Sequence, residues 1–161
     1  MSPTSSVDRP VPASLQREID LICSVGASAC VLITVCASGA DETLAPRIHG
    51  VRNAPRGRFL MIDCGLPVRA LDGELFGRLE RRPAASRCTL FLREVGKLPA
   101  DQQLRLLRAL RDNALACWPD PPPVRVVAST SECLFERVID GSFDADLFYR
   151  LNTIHLDLRR H

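Results

Sequence analysis

Four short runs of apolar residues set the terms for this chain: Cys30-Val-Leu-Ile-Thr34, Phe59-Leu-Met-Ile62, Thr89-Leu-Phe-Leu92 and Val124-Arg-Val-Val-Ala128. Each is short and nearly unbroken, the pattern of a strand covered on both faces rather than one with a wet side. A fifth run, Thr153-Ile-His-Leu-Asp-Leu158, alternates apolar and polar residues and reads as an edge-like strand. Helical spacing fills the intervals. Ser14 stands as an N-cap before Leu15, Ile19 and Ile22, with Glu18 in the first turn. The stretch 99–116 carries Leu104, Leu107, Leu110 and Ala114 on one stripe, with Arg105, Arg108, Arg111 and Asp112 outside it. Covered strands alternating with helices predict a three-layer α/β/α sandwich around a five-stranded, mainly parallel sheet.

A chain of 161 residues, 46% apolar and 25% charged, is enough for one domain with a core of its own. Residues 1–12 are polar and Pro-rich and are expected to form a flexible arm, leaving 13–161 as a single domain. The segment 119–123 is a stiff proline loop, and 81–87 is a polar surface connection. A net charge of +2 is too small to argue for nucleic acid or a membrane surface as a direct partner. The basic cluster Arg78, Arg81, Arg82 and Arg87 lacks the interleaved aromatics of a nucleic-acid surface and reads as a solvated loop.

No stretch approaches a membrane span and the polar start is no signal peptide, so a cytoplasmic location is expected. The seven cysteines (Cys23, Cys30, Cys36, Cys64, Cys88, Cys117, Cys133) are odd in number and contain no C-x-x-C pair. They read as small buried hydrophobes in a reducing compartment. His49, His155 and His161 do not cluster with them, so no metal centre and no cofactor are expected.

Val31-Leu-Ile-Thr-Val-Cys-Ala-Ser-Gly-Ala-Asp-Glu-Thr43 joins a covered strand to a small-residue loop and a helix, the place of a phosphate-binding loop. It holds only Gly39 among glycines, and Asp41 stands where a phosphate binder uses lysine.

Several further stretches fall in a telling order: RIHGVRNAPRGRFLMIDC (47–64), GELFG (73–77), TLFLREVGKLP (89–99), QLRLLRAL (103–110), VRVVAST (124–130) and FDADLFYRLN (143–152). Together they resemble the AAA+ ATPase domain of sigma-54-dependent transcriptional activators, from about Leu15 to the end of the chain. The resemblance implies a P-loop NTPase fold. The family's loop, close to GESGTGKE, matches Val35–Glu42, with Val35, Ser38 and Ala40 at glycine positions and Asp41 at the lysine. A carboxylate beside a triphosphate costs on the order of several kcal/mol in a partly dry site. Pro46 falls inside the following helix and predicts a kink or a late start.

The family's LFLDE becomes Leu-Phe-Leu-Arg93-Glu94, which removes the magnesium-supporting aspartate and keeps the glutamate that orients water. Asp63 and Ser131 match asparagines, Asp144 matches an arginine that reaches a neighbour's nucleotide, and Arg150 matches a second arginine that is kept. Only residues 78–88 stand where the family carries its longer GAFTGA insert, and the helical lid subdomain is expected to be absent.

The resemblance therefore implies a catalytically inactive relative, not an enzyme. It would regulate transcription through protein contacts, with a full-length sigma-54 activator as partner, and form a monomer or small dimer rather than a hexamer. The alternative is a module that binds a nucleotide or another anion in the remodelled cleft. The expected remnant of the nucleotide site is Ser38, Gly39, Asp41, Glu42, Arg93, Glu94, Ser131 and Arg150. Asp41 and Arg93 have exchanged charges and are expected to pair, the alternative being separate solvation. Glu94 is expected to bond backbone or Arg93 rather than to polarise water. Trp118 reads as a packing residue or, if exposed, an interface anchor. Phe148-Tyr149-Arg150 is expected to pack and cap the sheet end.

Overall fold

The computed structural model of the chain describes residues 13–24, 29–36, 40–53, 57–80, 88–111 and 124–160. Trp118, the proline loop, the basic loop 81–87 and the arm 1–12 lie outside them. The elements in chain order are α1 (Ala13–Ser24), β1 (Val31–Thr34), α2 (Ala40–Asn53), β2 (Arg58–Asp63), α3 (Val68–Glu80), β3 (Cys88–Arg93), α4 (Ala100–Arg111), β4 (Val124–Thr130), α5 (Leu134–Ile139), α6 (Ala145–Leu151) and β5 (Ile154–Asp157). Short 3₁₀ turns occupy Val95–Lys97 and Leu158–Arg160.

The five strands pair in the order β2-β3-β4-β1-β5, and every pairing is parallel. The expectation of an α/β sandwich with a five-stranded sheet holds, and the alternating run lies at an edge as β5. The two faces are sorted by the strand period of two. Val31, Ile33, Phe91 and Val127 join Leu15, Ile19 and Ile22 of α1 and Leu44 and Ile48 of α2 in one core. Leu32, Leu90, Leu92, Val126 and Ala128 join α3, α4, α5 and α6 in the other.

Arg125 sits fully inside β4, 2% exposed, on the α1 side. Its Nη2 donates to the carbonyl of Ile22 at 2.9 Å, placing positive charge at the carboxyl end of α1.

Four local expectations change. α1 already includes Ala13, so Ser14 lies in its first turn rather than at its cap. α2 runs unbroken from Ala40 through an exposed Pro46, so it does not start late; the ring points to solvent instead of into a packed layer. On α4, Leu104 is 44% exposed, and the buried stripe is Gln102, Gln103, Leu106, Leu107 and Leu110. Leu104 and Leu110 are about 120° apart around a helix, and the covered arc centres near Leu110. Gln103 is tolerated inside because its amide donates to the carbonyls of Leu98 at 2.8 Å and Ser142 at 3.1 Å, while its oxygen accepts from the Asp144 N–H at 2.8 Å. Finally, Cys30, Cys64 and Cys88 are buried as expected, but Cys36 and Cys133 are exposed. Both lie beyond strand ends, outside the apolar layers.

Candidate functional site

In a parallel sheet the carboxyl ends of the strands open onto one rim, where loops gather polar groups. Here β1 leads toward α2, β2 ends at Asp63, β3 ends at Arg93 and β4 ends at Thr130.

Arg93 is the centre of this rim. Its Nη1 lies 3.1 Å from Glu42 Oε1 of α2 and 3.4 Å from Asp63 Oδ2 of β2. Asp63 also accepts the Gly65 N–H at 2.8 Å through its other oxygen, which fixes the carboxylate on the turn after β2. One guanidinium thus ties together α2, β2 and β3. The Arg93 side chain is 28% exposed, so the pair is screened and contributes about 1 kcal/mol or less. The expected partner was Asp41; its side chain lies outside the described residues, as do Ser38 and Gly39. The carboxylate seen against Arg93 is that of the next residue, Glu42.

Glu94 turns the other way. It has φ 54° and ψ 50°, a left-handed backbone that non-glycine residues adopt at a cost of about 1–3 kcal/mol. Its buried carboxylate accepts the Ser131 N–H at 3.2 Å and the Ser131 hydroxyl at 2.9 Å. Its own N–H donates to Ser129 Oγ at 3.4 Å. The expected bond to backbone is present, and Ser131 rather than Arg93 supplies the side-chain partner. The carboxylate is bound to the end of β4.

Beside it, Arg137 of α5 donates to the Gly96 carbonyl and to Glu132 Oε2 at 2.6 Å. This network closes over Gly96, where a Cβ would meet Glu132 Oε2 and Leu134 Cδ2 at 3.1 Å and Thr130 Oγ1 at 3.3 Å.

Arg150 does not join this rim. Its Nη2 donates to the Leu110 carbonyl at 2.7 Å, in the last turn of α4, and its charge acts on Cys30, which precedes β1. It therefore sits toward the opposite end of the sheet. Asp144 is the N-cap of α6, its Oδ1 accepting from the Leu147 N–H at 2.8 Å. Phe148 is buried as expected, whereas Tyr149 is 67% exposed and caps nothing.

Among the described residues no group of three His, Cys, Asp or Glu side chains could hold a metal ion. At the position where the resemblance implies a magnesium-supporting carboxylate, a cation engages both nearby acids. That donor set does not suit a magnesium–nucleotide complex.

Residues 12–157 match the family described as the sigma-54 interaction domain. The chain belongs to this family. It is 35% identical over 147 residues to the DNA-binding transcriptional regulator NtrC of Escherichia coli, covering 80% of the chain and 31% of that protein. It is 33% identical over 144 residues to a signal-transduction and transcriptional-control protein of Clostridium beijerinckii, covering 77% of the chain and 22% of the relative. The chain thus spans between about a fifth and a third of the curated relatives it matches.

Among solved structures, NtrX from Brucella abortus in complex with ADP superposes with a TM-score of 0.75 at 24% identity, covering 96% of the chain and 38% of NtrX. The P-loop NTPase domain of a sigma-54 transport activator from Escherichia coli gives 0.59 at 19% identity, covering 83% of the chain and 98% of that domain. These likenesses place the fold among P-loop NTPases. No helix among the described residues is long and apolar enough to cross a membrane.

Of the residues that the resemblance assigns to the remnant nucleotide site, Glu42 pairs with Arg93 and Glu94 with Ser131 on this rim. The resemblance did not anticipate Ser129, Glu132 or Arg137. The run Ser129-Thr-Ser-Glu132 across the end of β4 is the local signal that polar groups would be concentrated there.

Proposed function

We propose that this sigma-54 interaction domain does not hydrolyse ATP and regulates transcription through protein contact, with a full-length sigma-54 activator as its partner. The observation that carries the reading is the engagement of Arg93 by Glu42 and Asp63. Phosphoryl transfer depends on positioned positive charge around the phosphates and on acidic support for magnesium. Here the cation comes from the protein itself and the acids are spent on it. Glu94, the one catalytic-type carboxylate, is held by Ser131.

Contact with a protein is supported by an apolar surface. Phe135, Ile139 and Tyr149 are 53%, 72% and 67% exposed on α5 and α6. The rings of Phe135 and Tyr149 connect through Phe148, with centroids 6.2 Å from Phe135 and 5.3 Å from Tyr149. Exposed apolar groups gathered in this way mark association surfaces. A domain of the same family that fails to turn over ATP would slow an activator it joins.

The test mixes the chain with a purified full-length sigma-54 activator. The expected result is co-elution, a dose-dependent fall in the activator's ATPase rate, and no turnover by the chain alone. ATP hydrolysis by the chain, or an activator rate unchanged at a large excess, overturns the reading. Calorimetric titration with ATP, ADP and a cyclic dinucleotide separates the other class of function: micromolar binding identifies a ligand module, and the expected result is none.

A further inference from the structure

Two thiols share one corner of the rim. Cys36 lies two residues past the end of β1, and Cys133 is the residue preceding α5, three past the end of β4. β1 and β4 are neighbours, with Thr34 opposite Thr130, and the ladder runs one step further as the Val35 N–H donates to the Thr130 carbonyl at 3.0 Å. The Thr130 hydroxyl then accepts from the Glu132 N–H at 3.1 Å and donates to the Glu132 carbonyl at 3.2 Å, folding the exit of β4 into a tight turn. Neighbouring strands run about 4.8 Å apart, and a disulfide spans Cα separations of roughly 4.4–6.8 Å. The two chain exits therefore begin within bridging range.

The chemistry of the corner differs from that of the other described cysteines. Cys36 and Cys133 are exposed and free, whereas Cys30, Cys64 and Cys88 are buried. Burial pushes the Cys64 thiol up to about 12, so it keeps its proton. Arg159, held by Asp157 through bonds of 2.9 and 3.0 Å, stands within electrostatic reach of both exposed thiols.

We propose that Cys36 and Cys133 form a dithiol site that a two-electron oxidant of the peroxide class converts into a reversible disulfide. One thiolate attacks a peroxide oxygen. The O–O bond breaks, that sulfur becomes a sulfenic acid, and the departing oxygen takes up a proton and leaves as water. The second thiolate attacks the sulfenic sulfur. The S–O bond breaks and the hydroxyl leaves, protonated, as a second water. Two thiols and one hydrogen peroxide give one disulfide and two waters. The bridge ties the exit of β1, on the path to Glu42, to the residues that follow Ser131, so the oxidation state is felt at both pairs of the rim. The inference stands apart from the proposed protein partner.

The experiment treats the full reduced chain with one equivalent of hydrogen peroxide and titrates thiols after denaturation. Tandem mass spectrometry then locates any bridge. The expected result is a loss of two thiols per chain, a bridge joining residues 36 and 133, and full recovery with dithiothreitol. Cys36→Ser and Cys133→Ser each abolish the bridge while keeping the wild-type melting curve. Dibromobimane, which fluoresces on bridging two neighbouring thiols, labels the native reduced wild type and neither variant. A bridge between any other pair, bimane fluorescence that survives in either variant, or no loss of thiols in the folded protein overturns the proposal.

Discussion

Ser131 donates both its backbone N–H and its hydroxyl to the carboxylate of Glu94, at 3.2 and 2.9 Å. The pair joins the left-handed turn after β3 to the end of β4. Removing the hydroxyl in Ser131→Ala leaves a buried carboxylate one donor short. The expected destabilisation is about 1–3 kcal/mol, read as a lower urea midpoint at unchanged slope. A midpoint equal to wild type would mean that the hydroxyl contributes nothing to holding Glu94.

Arg93 can be turned into a probe of its own site. Arg93→Asp places a third carboxylate beside Glu42 and Asp63, which already approach the same point. The variant is expected to gain thermal stability with millimolar Mg²⁺ or Ca²⁺, by about 2.7 kcal/mol when the ion is a hundredfold above its Kd. The wild-type chain is expected to show no such shift. Insensitivity of the variant would show that the three acids do not converge.

Two glycines should respond in opposite directions to the same methyl group. At Gly96 a Cβ meets three atoms between 3.1 and 3.3 Å, so Gly96→Ala should destabilise by about 1–3 kcal/mol through crowding. At Gly73, in the interior of α3, nothing lies within 4 Å of a Cβ. Gly73→Ala should stabilise by about 0.5–1 kcal/mol through helix propensity. Paired chemical denaturation curves give both signs.

His49 makes stability depend on pH below neutrality. Its Nδ1 lies 2.8 Å from the buried Thr89 hydroxyl, and burial lowers its pKa below the ordinary 6.5. The unfolded chain therefore takes up the proton first. The contribution of His49 is whole above about pH 6.5 and declines as pH falls from there toward the depressed folded value. His49→Gln should flatten that part of the stability–pH curve, measured by denaturation between pH 5 and pH 7.5.

The layered fold was legible because Val31–Thr34, Cys88–Arg93 and Val124–Thr130 are short, largely apolar runs, the pattern of a strand covered on both faces. The motif resemblance supplied the family and most of the rim. What escaped was orientation. Asp41 and Glu42 are adjacent acids at the start of one helix, and composition cannot say which reaches Arg93. Leu104 carries the same apolar label as Leu107, yet the arc facing the sheet leaves it in water. Cys36 and Cys133 look like their buried siblings in sequence; only the strand ends reveal them as surface groups.

Arg125 has a consequence for how the sheet can form. Successive residues of a strand face opposite layers, so a slip of β4 by one position would carry its charge from the carboxyl end of α1 into the larger apolar layer. That layer is lined by Leu90, Leu92 and the leucines of α3 and α4, whose side chains offer a guanidinium no acceptor. The arginine therefore works as a registration pin: a mis-threaded β4 cannot settle as a near-native alternative, and the central strands lock into one alignment or none.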